Sequence, residues 1–126
     1  MNKIAVLGPK NTYSDIACLV FEKQTKQKLT HIYKDNIREV MKSVDEVGLG
    51  ILPIENTLEG YIGQHIDLLL EFGFRIDSEV ILDISFSMVA HVDFNDIKVI
   101  YVQYATKNQC LKFLNHGKMA MREWLR

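Results

Sequence analysis

GLGILPIENTLEGYIGQHIDLLLEFG, Gly48 to Gly73, decides the fold. Its short apolar run, Leu49-Gly50-Ile51-Leu52, reads as a buried strand. A polar bend follows, Pro53-Ile54-Glu55-Asn56-Thr57. Gly60 then opens a segment that sets Ile62, Ile66, Leu69 and Leu70 on one helical stripe. A strand running into a helix leaves unpaired backbone N–H groups at the turn, with the positive end of the helix dipole behind them. Such a turn binds anions. Asn56 and Thr57 add uncharged donors, and Gly60 lets a ligand approach the backbone closely. The competing reading is an ordinary loop whose Asn and Thr cap the helix.

Toward the N-terminus the same pattern recurs. Lys3 to Leu7 (KIAVL) is a short apolar run ended by Gly8-Pro9, a buried strand and a turn. Asn11 can take a left-handed backbone conformation more cheaply than most residues. Thr12 lies three residues before Asp15, a capping-box spacing. Ile16, Leu19, Val20 and Lys23 continue as a helix with one buried face. Two such loops at one end of a parallel sheet face a common crevice. Lys28 to Tyr33 (KLTHIY) alternates as a strand. Its His31 has no carboxylate or cysteine at ligand spacing in the chain and reads as structural. Asn36 and Glu39 repeat the capping-box spacing. Ile37, Val40, Met41 and Val44 form the clearest amphipathic stripe. The order β-α-β-α-β-α predicts a parallel sheet covered by helices, with right-handed crossovers.

Toward the C-terminus the period changes. From Leu82 to Ala90 apolar and other residues alternate strictly, predicting a strand with one wet face. Ile97 to Val102 reads as another strand and Thr106 to Leu114 as a helix, which Gly117 should stop. Met119, Met121, Trp124 and Leu125 start a further apolar element. The second half has too few elements to close a core of its own.

Composition narrows the function class. The chain has 126 residues, enough for one domain or one and a piece. Hydrophobic residues at 48% against 25% charged exclude a disordered chain. A net charge of −1 argues against a broad basic face for nucleic acid. No apolar run approaches the roughly 20 residues of a membrane span, and Met1-Asn2-Lys3 shows no signal-peptide pattern. Cys18 and Cys110 fit no metal spacing, so packing in a reduced, cytoplasmic setting is the expectation, without a metal site.

Two blocks carry a family resemblance. VLGPKNTYSDIA, Val6 to Ala17, resembles the opening LGPxGTFSExA of prephenate dehydratases. GILPIENTLEGYIGQHIDLL, Gly50 to Leu69, resembles their GVVPIENSxEGxVxxTLDLL. Ile76 to Ala90 resembles the following I-x-G-E-hydrophobic run, and Tyr101 to Cys110 stands in the place of YSHPQxxxQC. The resemblance implies a type-2 periplasmic-binding-like lobe, with a mainly parallel sheet and flanking helices, over residues 1–78. Residues 79–126 would begin an incomplete second α/β lobe. It implies a carbon–oxygen lyase of phenylalanine biosynthesis that converts prephenate to phenylpyruvate, CO₂ and water without metal or organic cofactor. Carried over residue by residue, Asn56 and Gln109 are the catalytic candidates. Thr12, Ser14, Glu55, Asn56, Thr57 and Gly60 are the substrate-binding ones. Asn11 replaces a family glycine, and Val102, Gln103 and Tyr104 replace Ser-His-Pro. The family's Thr-Arg-Phe motif and its ACT domain have no counterpart in these residues. A truncated second lobe that exposes Met119, Met121, Trp124 and Leu125 predicts a homo-oligomer. The alternative is a non-catalytic module that binds an aromatic keto acid or amino acid. Partners other than a small aromatic-pathway acid, such as nucleic acid or membrane, are not expected.

Overall fold

The computed structural model describes residues 2–115 and 120–123. The chain divides into two compact units, Met1–Asp83 and Ile84–Arg126. The first unit opens with β1 (Lys3–Leu7), α1 (Tyr13–Thr25), β2 (Thr30–Lys34) and α2 (Ile37–Val47). β1 and β2 pair in parallel, with Ala5 opposite Ile32. The Leu49–Leu52 run adds a third parallel segment on the other side of β1. The Ala5 N–H donates to Leu49 O at 2.9 Å and the Ile51 N–H to Ala5 O at 3.0 Å. It forms a single bridge rather than a full ladder, and the unit is mixed α/β around a parallel sheet.

Strand alternation sends successive β1 side chains to opposite faces. Ile4 and Val6 pack with Cys18, Leu29 and Phe21 on the α1 face. Ala5 packs with Val40 and Met41 on the other face, joined by Val44, Leu68, Leu69 and Phe72. Burial on both faces is why the strand reads as continuously apolar. Gly50 fits because a Cβ there would lie 2.7 Å from Val44 Cγ2.

Local chemistry sets most helix ends. The Thr12 Oγ1 accepts the Asp15 N–H and the Asn36 Oδ1 accepts the Glu39 N–H, so both N-caps fall where the spacing places them. Asn11 takes φ 68, the left-handed conformation open to asparagine. Two expectations about the first unit are corrected. The buried face of α1 is not Ile16, Leu19 and Lys23. Ile16 and Leu19 are 40% and 54% exposed, and Asp15 and Cys18 face inward instead. A buried carboxylate with its own partners turns the helix away from its apolar stripe. Second, Gly60 does not open a helix. The Asn56 Oδ1 accepts the N–H groups of Leu58 and Glu59 and closes a turn, so β3 (Glu55–Asn56) pairs antiparallel with β4 (Gly60–Tyr61). The helix, α3 (Gly63–Phe72), starts after this hairpin.

The second unit contains a 3₁₀ turn (Phe94–Asp96), β5 (Val99–Val102), α4 (Tyr104–Gln109), α5 (Leu111–Asn115) and β6 (Ala120–Glu123). β5 and β6 pair in parallel, Val99 opposite Ala120. The helix expected over Thr106 to Leu114 is broken at Cys110. Val102 and Leu114 are its buried residues among those described. The alternating segment 82–90 forms no strand, a correction to the expected element. Alternation fixes which side chains share a face, but a strand also needs a partner edge for its backbone groups. Gly117, Met119, Trp124, Leu125 and the side chain of Met121 lie outside the described residues. Among the described residues no helix is long and apolar enough to cross a membrane.

Candidate functional site

β1 and the Leu49–Ile51 segment run in the same direction, so both chain exits, at Gly8 and at Pro53, leave from one end of the sheet. The two loops that carry the small polar residues therefore belong to the same end of the first unit. This is the end at which parallel α/β sheets bind ligands.

The Asn56 hairpin supplies the first group of donors. With Oδ1 held by the Leu58 N–H at 3.1 Å and the Glu59 N–H at 2.8 Å, the amide orientation of Asn56 is fixed. Its NH₂ group is left as a two-proton donor with no partner among the described residues. Thr57 is exposed in the turn, and Glu55 is exposed opposite Tyr61. Gly60 takes φ +75, and a Cβ there would meet nothing within 4 Å. The glycine is required by backbone conformation, and the space beside it is open.

One residue escaped the sequence reading. His65, in the first turn of α3, places Nδ1 2.6 Å from Pro53 O. A carbonyl can only accept, so Nδ1 carries a proton. The bond ties the strand exit to α3 across the hairpin. The family pattern has threonine at this position, and a histidine out of place is the signal that could have found it.

The first loop is held differently. The Thr12 hydroxyl donates to Leu7 O at 3.2 Å and accepts the Asp15 N–H at 3.4 Å, so its capacity is largely committed to the loop. Ser14 sits half-buried in the first turn of α1. Beneath the loop, Asp15 gathers the Asn11 N–H at 2.7 Å, His31 Nδ1 at 2.6 Å and the Tyr33 hydroxyl at 2.8 Å. Glu22 lies 3.5 Å from His31 Nε2. Burial pushes the Asp15 carboxyl up, but these hydrogen bonds outweigh it and hold the group below its ordinary value. Partial burial and the Asp15 carboxylate push Tyr33 up to about 12. Burial, reinforced by Asp15 and Glu22, pushes the Cys18 thiol up to about 12, which removes it as a nucleophile. His31 thus has carboxylate partners that chain spacing did not disclose, and its role remains structural. Gln109, the last residue of α4, belongs to the second unit.

The first unit thus offers neutral, oriented donors rather than a charged nucleophile. Comparison with known proteins identifies the family. A family model described as prephenate dehydratase matches residues 4–124. The prephenate dehydratase of Methanocaldococcus jannaschii is 36% identical over 127 residues, covering 93% of this chain and 44% of that protein. The bifunctional chorismate mutase/prephenate dehydratase of Escherichia coli is 28% identical over 128 residues, covering 96% of this chain and 33% of that protein. The crystal structure of prephenate dehydratase from Staphylococcus aureus superposes with a TM-score of 0.73 at 28% identity, over 97% of this chain and 47% of that one. The chain spans less than half the length of each of these relatives. With a match that runs through both donor-bearing loops, this chain belongs to the prephenate dehydratase family.

Proposed function

We propose that the chain carries the prephenate-binding first part of a dehydratase catalytic region, built as a type-2 periplasmic-binding-like lobe. In this reading the chemistry is a decarboxylative elimination. The ring carboxylate leaves as CO₂, its bonding electrons enter the ring, and the ring hydroxyl departs as water after gaining a proton. Aromatisation drives the step, so the protein's task is to orient the substrate and assist the leaving hydroxyl with hydrogen-bond donation. Asn56 is the orienting donor, supported by Thr57, Ser14 and the backbone beside Gly60. Thr12 shapes the first loop. Gln109, in the second unit, is a donor candidate by family resemblance alone, and Glu55 lies on the hairpin edge opposite Tyr61.

The observation that carries this reading is the Asn56 amide, whose oxygen is fixed by two backbone N–H groups and whose NH₂ is left to bind. Calorimetry and a phenylpyruvate assay on the purified chain test it. Prephenate should bind, and Asn56→Ala should weaken binding about tenfold, the loss of about one oriented hydrogen bond. Binding or turnover unchanged by Asn56→Ala would remove Asn56 from the site.

A further inference from the structure

We infer that the flank of α1 holds a second binding site, for a small polyanion. A cavity of about 680 Å³ lies there, bounded by α1, the turn that follows it and β2. It contains none of the residues assigned above to the prephenate site. Four lysines line it: Lys10 from the first loop, Lys23 from the last turn of α1, and Lys26 and Lys28 from the following turn. None of the four enters an ion pair among the described residues.

The single carboxylate on the wall does not neutralise them. Glu22 is engaged inward, accepting the Leu29 N–H through Oε1 and facing His31 Nε2 through Oε2. His31 and Tyr33 at the base are themselves held by Asp15. This open, shallow pocket therefore presents net positive charge, which raises the local concentration of anions.

The negative end of the α1 dipole accounts for Lys23 by itself. It does not account for Lys10, which comes from another loop. The dipole favours a cation at Lys26 as well, but not its backbone conformation, whose φ of 55 lies in the left-handed region. Lys26 is the residue that ends α1, its N–H donating to Glu22 O. Glycine takes that position without steric cost, and lysine does not. A lysine held there gives up backbone stability that glycine would keep and places a cation on the cavity wall. The ligand class that fits is a compact oxyanion with two or more charges, phosphate or carboxylate in kind.

Amide-resolved NMR titration of the full chain at low ionic strength tests this, with pyrophosphate in one arm and citrate in the other. Saturable shifts confined to Lys10, Lys23 and residues 26–29 support the site, and the tighter arm identifies the oxyanion. Lys26→Gly should weaken binding about fivefold, the effect of one solvated charge pair, while Tm stays the same or rises. The pair Lys23→Gln with Lys28→Gln should lower affinity more than tenfold. Asn56→Ala should leave this binding intact, which separates it from the prephenate reading. Shifts that spread equally to Lys34 and Lys42 without saturation would overturn the inference. Unchanged affinity in Lys26→Gly would overturn it as well.

Discussion

Asp15 shows how much one side chain can organise. Its carboxylate joins the first loop through Asn11 to β2 through His31 and Tyr33, while its own backbone lies in α1. Asp15→Ala strands three donors around a buried gap and should cost about 2–4 kcal/mol in urea denaturation. A loss under about 1 kcal/mol would contradict the hub. The pH dependence follows from the sign of its shift. The folded-state pKa is held below the ordinary value of 3.8, so its stabilisation is complete above that value. It is lost as pH falls through the lower folded value, so the stability gap between wild type and Asp15→Asn should close below about pH 4. The Thr12–Asp15 spacing made the cap legible in the sequence. The His31 contact was not, because its partner is sixteen residues away and meets it only once β2 lies beside α1. Gly50 is another such position. Its Cβ would meet the stiff Val44 side chain, and Gly50→Ala should lower stability by about 1–3 kcal/mol in a thermal melt.

Among the elements, α2 was the most legible, since Val40, Met41 and Val44 face the core as their spacing requires. The α1 stripe misled because a buried polar cluster, rather than apolar area, chose its inward face. The 55–61 hairpin was invisible because one asparagine decided it. Asn56 reads equally as a helix cap or a turn former, and local backbone competition settled the outcome. The hairpin is then pinned to α3 by one side-chain bond, His65 to Pro53 O. His65→Ala should weaken prephenate binding about fivefold while moving stability by less than about 1 kcal/mol, as expected for a partly solvated hydrogen bond. The imidazole ¹⁵N spectrum should show a protonated Nδ1 in the wild type. An Nε2-protonated ring would remove the pin. Equal loss of stability and binding would make His65 a folding residue only.

Across the whole molecule, burial is unevenly distributed between the two units. The first encloses β1 on both faces, with Ala5, Val6, Cys18 and Val40 fully buried. Among the described residues the second buries only Val102 and Leu114. Parallel order and helix coverage in the first unit were readable because β1 and β2 are each followed directly by a helix. The second unit carries the same βαβ signature, but the apolar segment 82–90 that leads into it finds no ladder, and periodicity does not disclose partners. Opening free energy follows buried apolar contact. The amides of Ala5 and Ile51, bonded between β1 and the third segment, should be among the slowest to exchange with solvent. Those of β5 should exchange earlier, and limited proteolysis should cut within 75–92 before it reaches the β1–α3 core, since exposed chain outside a ladder is the easiest to cleave. Coincident exchange of β1 and β5 would mean that the two units unfold as one, and the separate core of residues 1–83 would lose its energetic meaning.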